Sequence, residues 1–225
     1  MGAGAVIPIL AVAGTHGWDG SSAGQWYDPT TGPLMAFWRA NGFTPRLGDD
    51  GHGFCWPTVV DGVGFGNRLR VWKSSAENLI DWCVPAIASD RRIPGPELHI
   101  AAHSHGLQPV LIACAGGLKV NVLISFGSPA RADVLKAYGQ AARPNIGHWV
   151  HVYHDGFDFW QAIGEAFDGN VGIERQQLLA DINWKVPGLG HSGALADPKW
   201  FPRVWPQLFD TIKDRHGRPD YLARA

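Results

Sequence analysis

The stretch that decides the fold is Glu97-Leu98-His99-Ile100-Ala101-Ala102-His103-Ser104-His105-Gly106, followed by residues 107–117. Its first half is apolar enough for a buried strand, and the residues after Gly106 read as a helix. Between the two lies a tight turn with Ser104 at its apex. Such a turn forces the serine backbone into a strained conformation that lifts Oγ above the sheet. Small residues are needed two positions to either side, because a bulky side chain would strike the neighbouring strand or helix. Ala102 and Gly106 stand there. A serine that merely caps a helix has no such need.

Upstream, residues 6–13 form the one strong apolar run near the start and read as the first core strand. The run is too short to span a membrane, and no Lys or Arg precedes it. It breaks at Gly14-Thr15-His16-Gly17-Trp18. Residues 34–41 predict a short helix stopped by Gly42, residues 43–47 a short strand, and the glycine-rich residues 48–66 a long irregular loop. Leu69, Trp72, Ala76, Leu79, Ile80, Cys83 and Ile87 recur at steps of three and four, which marks an amphipathic helix over residues 67–88.

Downstream, residues 120–126 are a continuous apolar strand ending in Gly127-Ser128-Pro129. A helix over 130–140 and a strand over 148–154 follow, the latter ending in Asp155-Gly156-Phe157-Asp158. Residues 185–193 are loop around His191, residues 198–215 include a last helix, and 217–225 are a polar tail. Buried strands alternating with helices predict an α/β class: a three-layer α/β/α sandwich on a mainly parallel sheet, as one domain over residues 1–225. The connection from Phe126 to the strand at His148 is too short for a large helical lid, so the pocket roof is expected from residues 18–33 and 48–66.

The formal net charge is −1 with both signs scattered, which favours neither nucleic acid nor an anionic membrane as partner. The 45% hydrophobic and 17% charged content fits a globular chain with a sizeable core, not a disordered one. Cys83 and Cys114 fall on apolar helix faces and read as buried reduced thiols, with a Cys55–Cys83 bridge as the alternative. No export signal is visible and the cysteine count is odd, so the cytoplasm is the favoured compartment, without stable membrane insertion.

A serine hydroxyl needs a base to take its proton, a carboxylate to orient that base, and N–H donors for the developing oxyanion. On an open parallel sheet these groups belong on loops at the carboxyl ends of strands. Ser104, then Asp158, then His191 fall on such loops in that order, with Asp155 the rival for the acid. His148-x-x-His151-x-x-His154 and His103-Ser-His105 invite a metal site. On a strand His148 and His154 share a face while His151 points the other way, and no His-Glu-x-x-His is present, so no metal ligand is assigned. Trp18, Trp26, Trp56, Trp72, Trp160 and Trp184 are mostly core or pocket wall, several of them on loops expected above the sheet, and aromatic walls without charge suit a small ester with an apolar acyl or aryl part.

Taken together these residues resemble the α/β-hydrolase superfamily, and within it the small bacterial lipase- and esterase-like serine hydrolases. The resemblance rests on Ala-Gly-Thr-His-Gly-Trp after the first strand, Ala-His-Ser-His-Gly at the turn, and Phe-Gly-Ser-Pro after the next strand. It rests also on Asp-x-Phe, on Gly-His-Ser near the end, on Phe54-Cys55-Trp56, and on Asn67-Arg68 entering a long helix. It implies Ser104 as nucleophile, His191 as general base and acid, Asp158 as the orienting carboxylate, and the His105 N–H as one oxyanion donor. Thr15 is the favoured second donor, with Trp18 the choice in the other register. His16, Trp18 and His103 are the expected pocket residues. The implied reaction is cleavage of a carboxylic ester through an acyl-enzyme, with no cofactor. Acyl transfer, thioester or amide cleavage by the same triad, and a non-catalytic binding protein on this scaffold, are the alternatives. Ala102 replaces the usual first glycine of the turn, and Ala13 stands where many members carry histidine.

Overall fold

The computed structural model describes residues 7–14, 25–28, 30–46, 54, 68–89, 97–129, 131–154 and 176–218. Its centre is a six-stranded parallel sheet of β1 (Ile7–Val12), β2 (Phe43–Pro45), β3 (His99–His103), β4 (Val120–Phe126), β5 (Ile146–Tyr153) and β6 (Ile182–Lys185). The strand order is β2-β1-β3-β4-β5-β6, so the chain turns back on itself between β1 and β3. Loops at the carboxyl ends on either side of such a switch point enclose a crevice. Pro8 has no N–H to give to a ladder. It falls in the half of β1 paired with β2, ahead of Leu10, where β3 joins.

Alternate side chains of each strand enter opposite cores. On one face Ile9, Ala101, Ile124 and Val152 pack with α1 (Pro33–Ala40) and the last helix. On the other, Leu10, Ile100, Leu123 and Trp149 pack with α2 (Arg68–Ser89), α3 (Leu107–Ala115) and α4, residues 132–142, whose middle turn is a π-helix. After the short α5 (Gly193–Ala196), α6 (Phe201–Arg215) brings Trp205 to 5.0 Å from Trp38 and Phe209 to 4.2 Å from Phe43, between ring centroids. This is the three-layer α/β/α sandwich expected from the pattern.

Two differences in the elements have clear causes. β5 begins at Ile146, two residues before the expected start, where Ile146 pairs with Val120. The last helix expected within residues 198–215 is α6, which opens at Phe201 after a turn over 198–200. The sequence pattern predicts no strand at β6, yet a four-residue edge strand forms there, with Ile182 45% exposed. Tertiary contacts make it a strand. Asp181, just ahead of it, accepts a 2.8 Å hydrogen bond from the Trp149 N–H and pairs with Arg143. Asn183 exchanges side-chain hydrogen bonds with the backbone of Gln177. Short length and Lys185 keep this edge from recruiting another strand.

Cys83 and Cys114 are free, buried thiols, so Cys83 is not bridged. No helix among the described residues is long and apolar enough to cross a membrane. Of the pocket roof expected from residues 18–33 and 48–66, only residues 25–28, 30–33 and 54 are described.

Candidate active site

The sheet delivers Ser104 directly after β3, where a short 3-10 turn (Ser104–Gly106) leads into α3. Ser104 has φ +50°, the one positive φ on a non-glycine residue among those described. An L-residue in this region is strained by about 1–2 kcal/mol. The neighbours show what maintains the strain. A Cβ on Gly106 would lie 2.3 Å from the Ala13 carbonyl oxygen, so the start of α3 presses on the end of β1 and only glycine fits. A Cβ on Gly14 would lie 2.9 Å from His103 Nδ1 and 3.0 Å from the Ser104 Cβ. Ala102, fully buried, pairs with Val12 on one side and Ser125 on the other.

His191 comes to the same end of the sheet from the far side of the sequence. Its ring lies 4.9 Å from that of His103, between centroids. His103 Nε2 is 3.3 Å from the His191 carbonyl oxygen and 3.2 Å from Ser192 Oγ. A carbonyl only accepts, so the tautomer with Nε2–H serves this contact. The residue next to the serine thus holds the loop that carries the candidate base. Gly127, at the end of β4 with φ +52°, provides the floor: a Cβ there would meet the His191 carbonyl oxygen at 2.9 Å and Nδ1 at 3.2 Å.

Two aromatic rings flank the turn. Trp26 stands edge-on to His103 at 6.1 Å, and Trp72 stacks on the buried His105 at 5.8 Å and 16°. The Arg131 guanidinium lies 5.0 Å from the Trp72 ring and makes a two-pronged contact with Asp133. That contact holds the Asp133 carboxyl below its ordinary value. Trp184 packs against the core beneath α6.

Of the residues expected to act, Ser104, His103, His105 and His191 come together at the switch point between β1 and β3. Asp158, its rival Asp155, Thr15, His16 and Trp18 lie outside the described residues, as do Cys55, Trp56 and Trp160. The strand histidines do not converge: His148 Nδ1 faces Asp181 at 3.3 Å, whereas His151 Nδ1 meets Ser125 Oγ at 2.8 Å. The residues that sequence reasoning passed over are Ser192, Gln108 and Gln177. The Nε2 of Gln108 donates to the Pro129 carbonyl at 3.2 Å, and that of Gln177 to the Ser128 carbonyl at 2.9 Å. Both glutamines are buried, and together they pin the loop that supports His191. The signal for Gln108 was a polar side chain in an otherwise apolar helix start.

Comparison with known protein families finds no match, and no curated protein matches either. Solved structures do. An α/β hydrolase enzyme from the metagenome of sediments of the lagoon of Mar Chica, Morocco, is 12% identical with a TM-score of 0.52, over 92% of each chain. An esterase from Pyrococcus furiosus is 10% identical with a TM-score of 0.54, over 95% of this chain and 83% of the other. A dienelactone-hydrolase-like promiscuous phosphotriesterase from metagenomic libraries is 13% identical with a TM-score of 0.51, over 95% and 88%. The six parallel strands, the helices on both faces and these likenesses agree: the chain has the fold of the α/β-hydrolase superfamily.

Proposed function

We propose that this chain is a serine hydrolase of carboxylic esters, with Ser104 as nucleophile, His191 as general base and acid, and Asp158 as the carboxylate that orients the imidazole. The carrying observation is the Ser104 backbone at φ +50°, held between β1 and β4 with the His191 loop fastened to the preceding residue. A nucleophile at such a turn requires an Oγ raised clear of the sheet, which this backbone conformation favours. The fold's likeness to an esterase and to an α/β hydrolase adds to this reading.

In the first half-reaction Ser104 Oγ attacks the ester carbonyl carbon as its proton passes to His191. The oxyanion that forms is met by the backbone N–H of His105 and, in the favoured register, of Thr15. Gly14 against Ser104 favours Thr15, its direct successor, over Trp18. Collapse of the intermediate expels the alcohol, which takes the proton from His191, and leaves an acyl group on Oγ. A water then gives a proton to His191 and its oxygen to the acyl carbon, releasing the acid and restoring Ser104.

Trp26 beside His103 supports an apolar acyl or aryl group, and the substrates expected are short- to medium-chain esters. The test is a p-nitrophenyl ester series of increasing acyl length, run with the native protein and with Ser104→Ala, together with intact-mass detection of a fluorophosphonate adduct. Turnover of the shorter esters that disappears in the variant, with one adduct on Ser104, is expected. Equal rates in the two proteins would remove Ser104 from the mechanism.

A further inference from the structure

The opposite end of β3 carries a second cluster, about 15 Å along the strand from Ser104. Glu97 and His99 are two residues apart and therefore project to the same side of the extended chain. Both are buried, Glu97 at 3% exposure and His99 at 0%. His216, the residue that closes α6, joins them from 117 positions away in the chain. Its Nδ1 lies 2.7 Å from Glu97 Oε2 and 3.2 Å from His99 Nε2. One ligand atom from each of the three falls within 4.8 Å of the other two.

Protons alone serve this arrangement poorly. His216 Nδ1 can carry one hydrogen, directed in the plane of its ring. Glu97 Oε2 is buried and only 2.7 Å away, close enough for an ion pair with a protonated His216, yet it lies outside the direction in which a well-formed hydrogen bond would reach it. If His99 instead supplies the hydrogen between the two rings, the Nδ1 lone pair of His216 faces the carboxylate lone pairs directly. A buried carboxylate oxygen with no donor is costly. A cation among three lone pairs removes that cost.

We propose that Glu97, His99 and His216 form a binding site for one divalent transition-metal cation of the zinc class, bound through Glu97 Oε2, His99 Nε2 and His216 Nδ1. Imidazole and carboxylate donors bind zinc at about 2.0–2.2 Å, so two tetrahedral donors stand roughly 3.3 Å apart. The two imidazole nitrogens, 3.2 Å apart, already have that spacing, and the carboxylate oxygen, 2.7 Å from His216 Nδ1 and within 4.8 Å of His99 Nε2, adjusts its position to complete the set.

The frame is fixed before any ion arrives. The His216 N–H donates to the Ile212 carbonyl at 2.8 Å, and Asn121 Nδ2 donates to the Arg215 carbonyl at 2.7 Å. His216 is the partly exposed member, and Gly217 follows at φ +80° with a Cβ position no closer than 3.8 Å to Glu97. That side is the entry path, and a water completes the coordination. The site lies at the amino end of β3, away from Ser104, so its role is structural: it ties the end of α6 to the first residue of β3.

The test starts from tag-free protein stripped with a chelator and then dialysed free of it. Zn2+ is titrated in by calorimetry and thermal melting, and Co2+ by visible absorption. The expected result is one saturable equivalent, a Tm that rises until that equivalent is filled, and a four-coordinate Co2+ spectrum. All three are lost in His216→Ala and in Glu97→Gln, while ester turnover by the stripped native protein is unchanged. His216 is partly exposed and Glu97→Gln preserves shape, so a folding failure in one leaves the other as the control. Absence of saturable binding by the native protein overturns the proposal, as does binding that survives in both variants.

Discussion

The imidazole of His103 stands 4.9 Å from that of His191, and its Nε2 lies 3.3 Å from the His191 carbonyl oxygen. The residue before the candidate nucleophile thus fastens the loop that carries the candidate base. His103→Ala should lower kcat on a p-nitrophenyl ester about 10- to 100-fold with a smaller effect on KM, because the loop loses registry and not the pocket. The stability cost is about 1–3 kcal/mol, from the lost hydrogen bond to the His191 loop together with the ring's packing against Trp26. Steady-state kinetics beside a urea melt separate the two. A pure KM effect would argue instead that His103 binds substrate.

The backbone strain at Ser104 predicts a trade between activity and stability. Ser104→Gly relieves a φ of +50° and should raise unfolding free energy by about 1 kcal/mol while abolishing turnover. A urea midpoint that falls in the glycine variant would mean that the turn is not strained.

Gly127 is tested in the opposite direction. An added Cβ would meet the His191 carbonyl at 2.9 Å at a position with φ +52°. Gly127→Ala should cost about 2 kcal/mol of stability and lower kcat at least tenfold as the His191 loop is displaced. Thermal melts and kcat measured on one preparation check both halves; a silent substitution would contradict the close approach.

Burial raises the thiol of Cys83 to about 12 and that of Cys114 further still. At pH 8 the thiolate fraction of Cys83 is then about one in ten thousand, so neither thiol reacts at a useful rate. In a Cys55→Ser background, Ellman's reagent should find no reactive thiol in the native protein and both after denaturation. Rapid labelling of the folded protein would show that the α2–α3 interface opens readily.

Asp133 gives a pH signature. Its side-chain hydrogen bonds from Arg131 hold its folded value below that of the unfolded chain. The stabilisation is therefore complete above about pH 4 and is lost as pH falls through the lowered folded value. For a partly exposed pair the amount is about 0.5–1 kcal/mol. Asp133→Asn should lower the neutral-pH Tm slightly, and the difference should shrink as the pH falls below about 4, as followed by circular dichroism.

Much of the layer architecture was legible because its causes are local. Apolar runs at 6–13 and 120–126, and the three-and-four spacing from Leu69 to Cys83, reflect the periods of strand and helix, which the chain carries residue by residue. The Ser104 turn was legible for a steric reason: Ala102 and Gly106 supply the small volumes that a tight strand-to-helix turn requires on either side of its apex. β6 was not legible. Ile182-Asn183-Trp184-Lys185 does alternate apolar and polar, but four residues beside a proline- and glycine-rich loop are too short a run to decide a strand, and their pairing with β5 is supported by Asp181 reaching the Trp149 N–H.

Sequence alone determined the class of fold and the serine at its centre, because backbone period and side-chain volume act over a few residues. Tertiary structure alone decided what surrounds that serine: His103 gripping the His191 loop, Gln108 and Gln177 pinning the strand end, and Glu97 and His99 meeting His216. Those contacts join positions 21 to 119 residues apart. They exist only once the sheet order is set, since nothing in the local spacing of the residues specifies which loops the sheet will bring to the same end.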